Sequence, residues 1–169
     1  LVGVESDPFN PSTGGTIDGI ALTFAPLAVS LVALLLTMRR SADASALKMC
    51  FGALNKGTQA LWLQVLIAAQ RLGVADLLEQ QLRQLQADRY EWALGQFPIL
   101  PPKAYRWVPE MLEIAKTLGT VGMTPKMFQG AAETYRFVAG TSLGKETPET
   151  RDKTRGGKDV VRLLADEQG

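Results

Sequence analysis

The chain has 169 residues, of which 46% are hydrophobic and 21% are charged, and its formal net charge is +1. This composition is typical of one globular domain with an apolar core of ordinary size. The absence of histidine excludes Ser/His/Asp and Cys/His nucleophilic systems and zinc sites that need an imidazole ligand. A single cysteine, Cys50, excludes an internal disulfide. The balanced charge gives no global attraction to nucleic acid or to an acidic membrane surface.

Two nucleotide-binding motifs are missing from the sequence. It contains neither a Gly-x-Gly-x-x-Gly turn nor a Gly-x-x-x-x-Gly-Lys loop. The nearest glycine clusters lack the required spacing and the apolar strand that precedes such a turn. We therefore expect no nucleotide site carried wholly by this chain. Because residue 1 is Leu rather than Met, we interpret the chain as a piece of a longer protein.

The N-terminal 41 residues predict an irregular segment followed by an apolar one. Residues 1–19 are rich in glycine, proline and small polar residues, which favours a loop. Residues 20–38 carry no charge, and as a helix they would span about 28 Å, near the hydrocarbon thickness of a bilayer. The alternative is a buried helix of a soluble protein with Pro26 in its first turns. Both interpretations stay open at this point.

The next segment predicts one long amphipathic helix over residues 42–72, with Ser41 as N-cap and Gly73 as its stop. Its apolar residues recur at helical spacing and are predicted to face the core: Leu47, Phe51, Leu54, Leu61, Val65 and Leu72. A polar stripe is predicted on the opposite side: Lys48, Gly52, Asn55, Lys56 and Gln59. Such a stripe can line a binding site.

The remaining pattern predicts more helices and no strand. One begins near Asp76, a short one holds Trp92, and one over residues 103–118 contains Pro109 as a bend. A last core helix begins at Pro125, and its predicted inward residues are Met127, Phe128, Ala131, Tyr135 and Val138. Residues 144–169 are highly charged and predict a solvated, disordered tail, with one short helix near 159–165 as a further option. The predicted fold class is all-α, a multi-helical bundle over residues 42–143 between two irregular ends, 1–41 and 144–169.

Few residues are candidates for chemistry. Lys48 on the polar stripe can act as an acid or base, although an ordinary exposed lysine explains the same spacing. Lys103 and Arg106, at i and i+3, can hold a carboxylate or phosphate, whereas Arg106 and Glu110 at i and i+4 can form a surface ion pair instead. Several large or sulfur-containing side chains are interpreted as core packing rather than as a cofactor site: Trp62, Trp92, Trp107, Met111 and the thiol of Cys50.

Two blocks of the chain resemble a known family. The runs ASALKMCFGALNKGTQAL (44–61) and PPKAYRWVPEMLEIAKTLGTVGMTPKMFQGAAETYRFVA (101–139) are similar to the helical C-terminal domain of the 6-phosphogluconate dehydrogenase and β-hydroxyacid dehydrogenase superfamily, in a phosphogluconate dehydrogenase-like branch. The resemblance covers residues 42–143. It implies an all-α bundle that completes the substrate cleft beside an N-terminal Rossmann domain, and a cytoplasmic homodimer.

The resemblance also implies an activity, the NAD- or NADP-dependent oxidation of a small anionic 3-hydroxy acid. Lys48 matches the catalytic lysine of the family, which as general base takes the hydroxyl proton while hydride leaves the adjacent carbon for the nicotinamide. Asn55 and Lys56 are candidate substrate neighbours by helix geometry. Lys103 and Arg106 fall in a similar block and are candidate substrate ligands. We expect the chain alone to bind no dinucleotide and to be inactive.

The chain departs from the family in two places. The motif before the lysine resembles Gly-x-Gly-x-x-x-Lys in the family, but both glycine positions are alanine here, and Gly52 stands where the family often has asparagine. The family also has the end of its Rossmann domain before this lysine, whereas residues 1–41 show no such pattern. A second hypothesis is therefore a non-enzymatic helical interaction module, with residues 20–38 as a membrane tether.

Overall fold

The computed structural model of the chain describes residues 41–167. Across that range it consists of α-helices, short 3-10 and π-helical turns and connecting loops, with no strand, so the all-α prediction is confirmed. No helix in this part of the chain is both long enough and apolar enough to cross a bilayer. The predicted loop over 1–19 and the uncharged run over 20–38 lie outside the described residues.

Seven α-helices follow one another in the described range. They are α1 (Ser41–Gly52), α2 (Thr58–Arg71), α3 (Ala75–Leu85), α4 (Ala87–Gln96), α5 (Ala104–Thr120), α6 (Lys126–Gly140) and α7 (Gly157–Asp166). Three 3-10 turns lie between them, at Phe97–Ile99, Pro101–Lys103 and Leu143–Lys145. From Ala46 on, the described residues form one compact unit.

The two first helices are parts of one continuous helix. A π-helical turn, Ala53–Gly57, joins α1 to α2, and the backbone at both of its ends keeps right-handed helical angles. Residues 41–71 are therefore helical throughout, as the sequence predicts for 42–72. The helix ends where Gly73 takes a φ of +70°, a conformation that costs glycine little and other residues more.

The core is formed by α2 together with the helices that cover it. α5 packs along α6, and α2 contacts α3, α4, α6 and α7. The largest fully buried side chains come from most of these elements: Leu63, Phe97, Leu100, Met111, Ile114, Tyr135, Val138 and Leu164. Residues from 63 to 164 thus contribute to one hydrophobic cluster.

The side of the long helix that faces this core is not the predicted one. All six residues predicted to be buried are 44% to 75% exposed: Leu47, Phe51, Leu54, Leu61, Val65 and Leu72. The buried side is formed by Met49, Ala53, Ala60, Leu63 and Ile67 instead. The helix has two apolar stripes, and the stripe with the smaller residues faces inward because alanine lets the neighbouring helices approach closely.

Other predicted core positions are correct in part. On α6, Ala131, Tyr135 and Val138 are buried, whereas Met127 is 71% exposed and that prediction is wrong. Met111 is fully buried. Among the tryptophans, Trp62 and Trp107 are half-buried and Trp92 is exposed. Cys50 is exposed, because it lies on the outer side of α1, so its assignment as a buried thiol is also wrong.

The prediction of a solvated, disordered tail after residue 143 is wrong at its end, and the alternative of a short helix near 159–165 is confirmed there by α7. α7 buries Val160, Val161 and Leu164 and packs against α2. Arg71 of α2 donates to the carbonyl oxygens of Ala165 at 3.1 Å and Glu167 at 2.5 Å, where the C-terminal end of a helix favours a cation. Three apolar residues at helical spacing are thus enough to pack this segment against the core, although its average composition predicts a solvent-exposed segment.

Truncating Leu164 tests whether α7 belongs to the core. Leu164→Ala removes a fully buried side chain and is expected to lower the free energy of unfolding by about 3 kcal/mol, the usual cost of such a cavity. The control is Leu163→Ala at the next position, which is 41% exposed and is expected to cost less than about 1 kcal/mol. Urea unfolding measures both. Equal, small effects would mean that α7 is not anchored.

Candidate functional site

An ion pair links the π-helical turn to α5. Lys56 Nζ lies 2.6 Å from Glu110 Oε1 and 2.5 Å from Glu110 Oε2. The two side chains are 24% and 25% exposed. The pair is therefore partly shielded from water, which makes it stronger than an exposed ion pair of the same length.

Two aromatic side chains surround this pair. Lys56 Nζ lies 5.4 Å from the centroid of the Trp107 ring, within cation-π range. Trp107 in turn meets Tyr135 edge-on, with ring centroids 5.1 Å apart and planes at 74°. The hydroxyl of Tyr135 donates to the backbone carbonyl of Lys56 at 2.6 Å. Lys56, Trp107, Glu110 and Tyr135 form a unit that we call the Lys56 cluster.

The protonation of Tyr135 is set by its surroundings. Burial raises the pKa of the Tyr135 phenol far above its usual value, and the nearby charge of Glu110 raises it further. The phenol therefore stays protonated over the physiological range and continues to donate to the Lys56 carbonyl. This bond helps to hold the π turn against α6, since π turns are uncommon in helices and need such compensation.

Two glycines allow the long helix to approach its neighbours at the cluster. A Cβ at Gly57 would lie 2.7 Å from Phe128 Cε1, closer than real contacts allow. A Cβ at Gly52 would lie 3.3 Å from Ile114 Cδ1 and 3.4 Å from Glu110 Oε1. The backbone at both positions has right-handed helical angles, so close packing explains the glycines and conformational freedom does not.

The structure separates the residues of the predicted polar stripe. Lys48 and Asn55 are exposed, whereas Gly52 and Gln59 are buried, so the five residues do not share one accessible face. Asn55 accepts a hydrogen bond at its Oδ1 from Gln59 Nε2 at 2.9 Å. Only Lys56 enters the cluster. The stripe prediction is wrong because Gly52 and Gln59 pack against the core and do not face solvent with Lys48 and Asn55.

The second pair of candidates lies near the beginning of α5. Lys103 is half-buried in the 3-10 turn that precedes the helix, and Arg106 is exposed on its first turn. The alternative ion pair of Arg106 with Glu110 is not formed, because Glu110 binds Lys56 across the helix interface. The structure thus assigns the acidic residue of that pair to a tertiary contact.

Three residues of the cluster were not singled out for it by the sequence pattern. The pattern predicts Glu110 on the polar side of α5, and it indicates only core packing for Trp107 and Tyr135. The available signal was the spacing of Trp107, Glu110 and Ile114 on one side of α5, with a carboxylate among apolar residues. A carboxylate in such a place needs a cationic partner, and Lys56 supplies it from 54 positions away in the chain.

A groove between α2 and α6 lies near these residues. It has two parts of about 400 and 440 Å³ that share Gln64 and Gly130 in their lining. The first is lined by apolar side chains such as Leu54, Leu61 and Met127, and the second by Ala68 and Phe137 among others. Lys48 is not among the residues that line either part.

One family matches the chain. It is described as a domain of unknown function (DUF1932), and the match covers residues 69–138, about two fifths of the chain. The matched stretch runs from the end of α2 to α6 and includes Trp107, Glu110 and Tyr135 of the Lys56 cluster. Lys48 and Lys56 lie before it. No curated protein and no solved structure matches the chain.

A double-mutant cycle tests the ion pair of the cluster. Lys56→Met, Glu110→Gln and the double variant are expected to give a coupling free energy of about 1 kcal/mol. Both charges are partly shielded from water, and each single change leaves the remaining charge without its counter-ion. Urea unfolding of the four proteins measures this coupling. The control is the exposed pair of Arg136 with Glu133, for which we expect no measurable coupling. Equal coupling in the two cycles would contradict the proposed shielding.

The close approach at Gly57 gives a second test. Gly57→Ala is expected to lower the free energy of unfolding by about 1 to 3 kcal/mol, because the added methyl group overlaps Phe128. The control is Gly95→Ala in α4, where a Cβ meets nothing within 4 Å and where alanine is expected to stabilise the helix by up to about 1 kcal/mol. If both changes stabilise, the packing of α6 against the π turn is looser than described.

Proposed function

We propose that residues 42–143 form the helical, substrate-side domain of an NAD(P)-dependent 3-hydroxyacid dehydrogenase. The observation that carries the proposal is the coincidence of the matched stretch, 69–138, with most of the second block that resembles this domain, 101–139. The continuous helix over residues 41–71 supports it, because the resemblance implies one long helix that bears the catalytic lysine.

The dinucleotide does not fit residues 41–167. A pyrophosphate is held by a glycine-rich turn between a strand and the N-terminal end of a helix, and this part of the chain contains no strand. Hydride transfer is therefore not assigned to these residues. In the proposed enzyme the nucleotide belongs to another domain, and the helical domain contributes the side chains that bind the substrate and move its proton.

Lys48 is the proposed acid/base residue. It lies on α1, seven residues before Asn55, so the two α-carbons are about 10 Å apart along the helix. Lys48 is exposed, and its amine is therefore accessible to a substrate held on that side of the helix. Proton transfer of this kind needs a site closed from bulk water, which in the proposed enzyme requires a second lobe over α1.

The proposed substrate ligands differ in how free they are to bind an anion. Lys56 already neutralises Glu110, so it can bind a substrate carboxylate only by sharing or exchanging that partner. Lys103, in the turn before α5, and Arg106, in the first turn of α5, carry two positive charges without an acidic neighbour between them in sequence. Among the candidates, Arg106 is thus best suited to a bidentate contact with a carboxylate.

Turnover with the dinucleotide domain supplied tests this function. We expect the chain, joined to an NAD(P)-binding domain of this dehydrogenase class, to oxidise a member of a panel of small 3-hydroxy acids. Lys48→Met is expected to lower kcat at least about 100-fold, because the base is lost. The control is Lys116→Met, an exposed lysine of α5, which should change kcat less than about 2-fold. Unchanged turnover in Lys48→Met would remove Lys48 from the mechanism.

The second candidate function is a non-enzymatic helical interaction module. The exposed apolar side of α1 and α2 favours it, because contiguous apolar surface of this kind usually marks a protein interaction site. Its proposed tether, residues 20–38, lies outside the described residues. Lack of turnover over the whole panel, with a dinucleotide domain that demonstrably binds NAD(P), would favour this candidate over the enzyme.

A further inference from the structure

The π-helical turn determines how α1 is rotated about its axis. Within Ala53–Gly57 the backbone hydrogen bonds close over one residue more than in an α-helix, so the turn takes up one additional residue. Successive residues of an α-helix differ by about 100° around the axis. The residues of α1 that precede the turn are therefore rotated by about 100° relative to α2, compared with an uninterrupted α-helix.

The side chain that α1 buries depends on this rotation. Among residues 46–52 only Met49 and Gly52 are buried. If the turn became α-helical, each residue of α1 would take the place of the residue before it. Cys50 would then move to the buried place of Met49, and Met49 to the exposed place of Lys48. Since one buried side chain provides little packing against such a change, other contacts are needed to hold the turn.

Two contacts from α6 hold the turn at its C-terminal end. The hydroxyl of Tyr135 donates to the backbone carbonyl of Lys56, inside the turn, at 2.6 Å. At the last residue of the turn, Gly57, a Cβ would lie 2.7 Å from Phe128 Cε1, so the backbone approaches α6 closely. The bond from Tyr135 is thus a tertiary hydrogen bond made directly to the backbone of the π turn.

The donor of this bond is itself fixed. Tyr135 is fully buried, and its ring meets Trp107 edge-on with centroids 5.1 Å apart. Its hydroxyl keeps its proton, because burial raises the pKa of the phenol. The carbonyl of Lys56 changes direction when the widened turn tightens to an α-helix, whereas the fixed hydroxyl cannot follow it. The bond therefore stabilises the π form of the turn over the α form.

The carboxylate of α5 supports the same turn from another side. Glu110 binds the ammonium group of Lys56, so α5 holds the side chain of the residue whose carbonyl α6 holds. Glu110 Oε1 also lies 3.4 Å from the place of a Cβ on Gly52, directly before the turn. One carboxylate thus contacts the helix at both ends of the π turn, and it leaves the bond from Tyr135 to fix the backbone between them.

We propose that Tyr135 is a positioning residue for Lys48: its bond to the Lys56 carbonyl keeps the turn π-helical and thereby fixes the rotation of α1 that presents the amine of Lys48. The role of Lys48 as a base rests on the proposed function, whereas the control of α1 by Tyr135 does not. A general base acts within hydrogen-bond reach, about 3 Å. A rotation of about 100° moves a long side chain by more than that, so the rotated form is inactive.

The reactivity of a thiol at position 49 tests the control of the rotation. In the full chain with Met49→Cys, and with Cys50→Ser to leave one thiol, the probe is buried while the turn is π-helical. Tyr135→Phe keeps the ring and removes the hydroxyl. It is expected to raise the rate of reaction with DTNB about 3- to 10-fold, the effect of losing one hydrogen bond on a local opening.

Two controls separate a rotation of α1 from a general loosening of the fold. Ala69→Cys in α2, again with Cys50→Ser, places the thiol at a position that is also 4% exposed, and Tyr135→Phe should change its rate less than about 2-fold. Tyr90→Phe removes the hydroxyl of another buried tyrosine, in α4, and should leave the rate at position 49 unchanged. Equal rises at positions 49 and 69, or no rise at 49, would overturn the proposal.

Deletion of Leu54 tests the role of the turn independently. Leu54 lies in the turn and is 75% exposed, so its deletion removes the additional residue and leaves an uninterrupted α-helix that holds α1 in its present rotation. The thiol at position 49 is then expected to stay protected with or without the hydroxyl of Tyr135. A deletion variant in which Tyr135→Phe still raises the rate would contradict the role of the turn. Circular dichroism checks that each variant is folded.

Turnover of the chain joined to an NAD(P)-binding domain tests the consequence for Lys48. The rotated fraction is the thiol rate at position 49 divided by that of a fully exposed thiol. Tyr135→Phe is expected to lower kcat in proportion to this fraction and to leave KM unchanged. A larger fall in kcat, or a change in KM, would mean that Tyr135 acts on the substrate itself and would overturn the positioning role.

The thiol measurements need neither substrate nor dinucleotide. A chain without turnover on the whole panel, in which Tyr135 still controls the rate at position 49, would contradict the proposed function and support the control of α1. Turnover that depends on Lys48, in a chain whose thiol rates ignore Tyr135, would support the proposed function and overturn this inference. The two failures are therefore distinguishable.

Discussion

The fold depends on how closely α5 and α6 approach the continuous helix formed by α1, the π turn and α2. Small residues make this possible: alanine at positions 53 and 60, and glycine at positions 52 and 57. Larger side chains at these places would push the helices apart and open the cluster that includes Met111, Ile114 and Tyr135. The same closeness brings the ammonium group of Lys56 within hydrogen-bond distance of Glu110.

The Lys56 cluster is therefore best understood as a consequence of that packing. Its carboxylate and its ammonium group come from different helices, and an aromatic ring and a buried phenol enclose them. Burying either charge alone would cost free energy of desolvation, whereas together the two charges form an ion pair that links the π turn to α5. This ion pair holds one side of the long helix against α5, and Lys48 lies on another, exposed side.

Local signals predicted the helices well and their buried sides poorly. The end of the long helix at Gly73 follows from the positive φ that glycine adopts there. The all-α class follows from the helical spacing of apolar residues along the chain. The choice between two apolar stripes on one helix depends on which stripe the other helices fit, which periodicity cannot show. The contact of Lys56 with Glu110 is likewise long-range and has no local signature, whereas α7 has a local helical signal but its packing against α2 is again long-range.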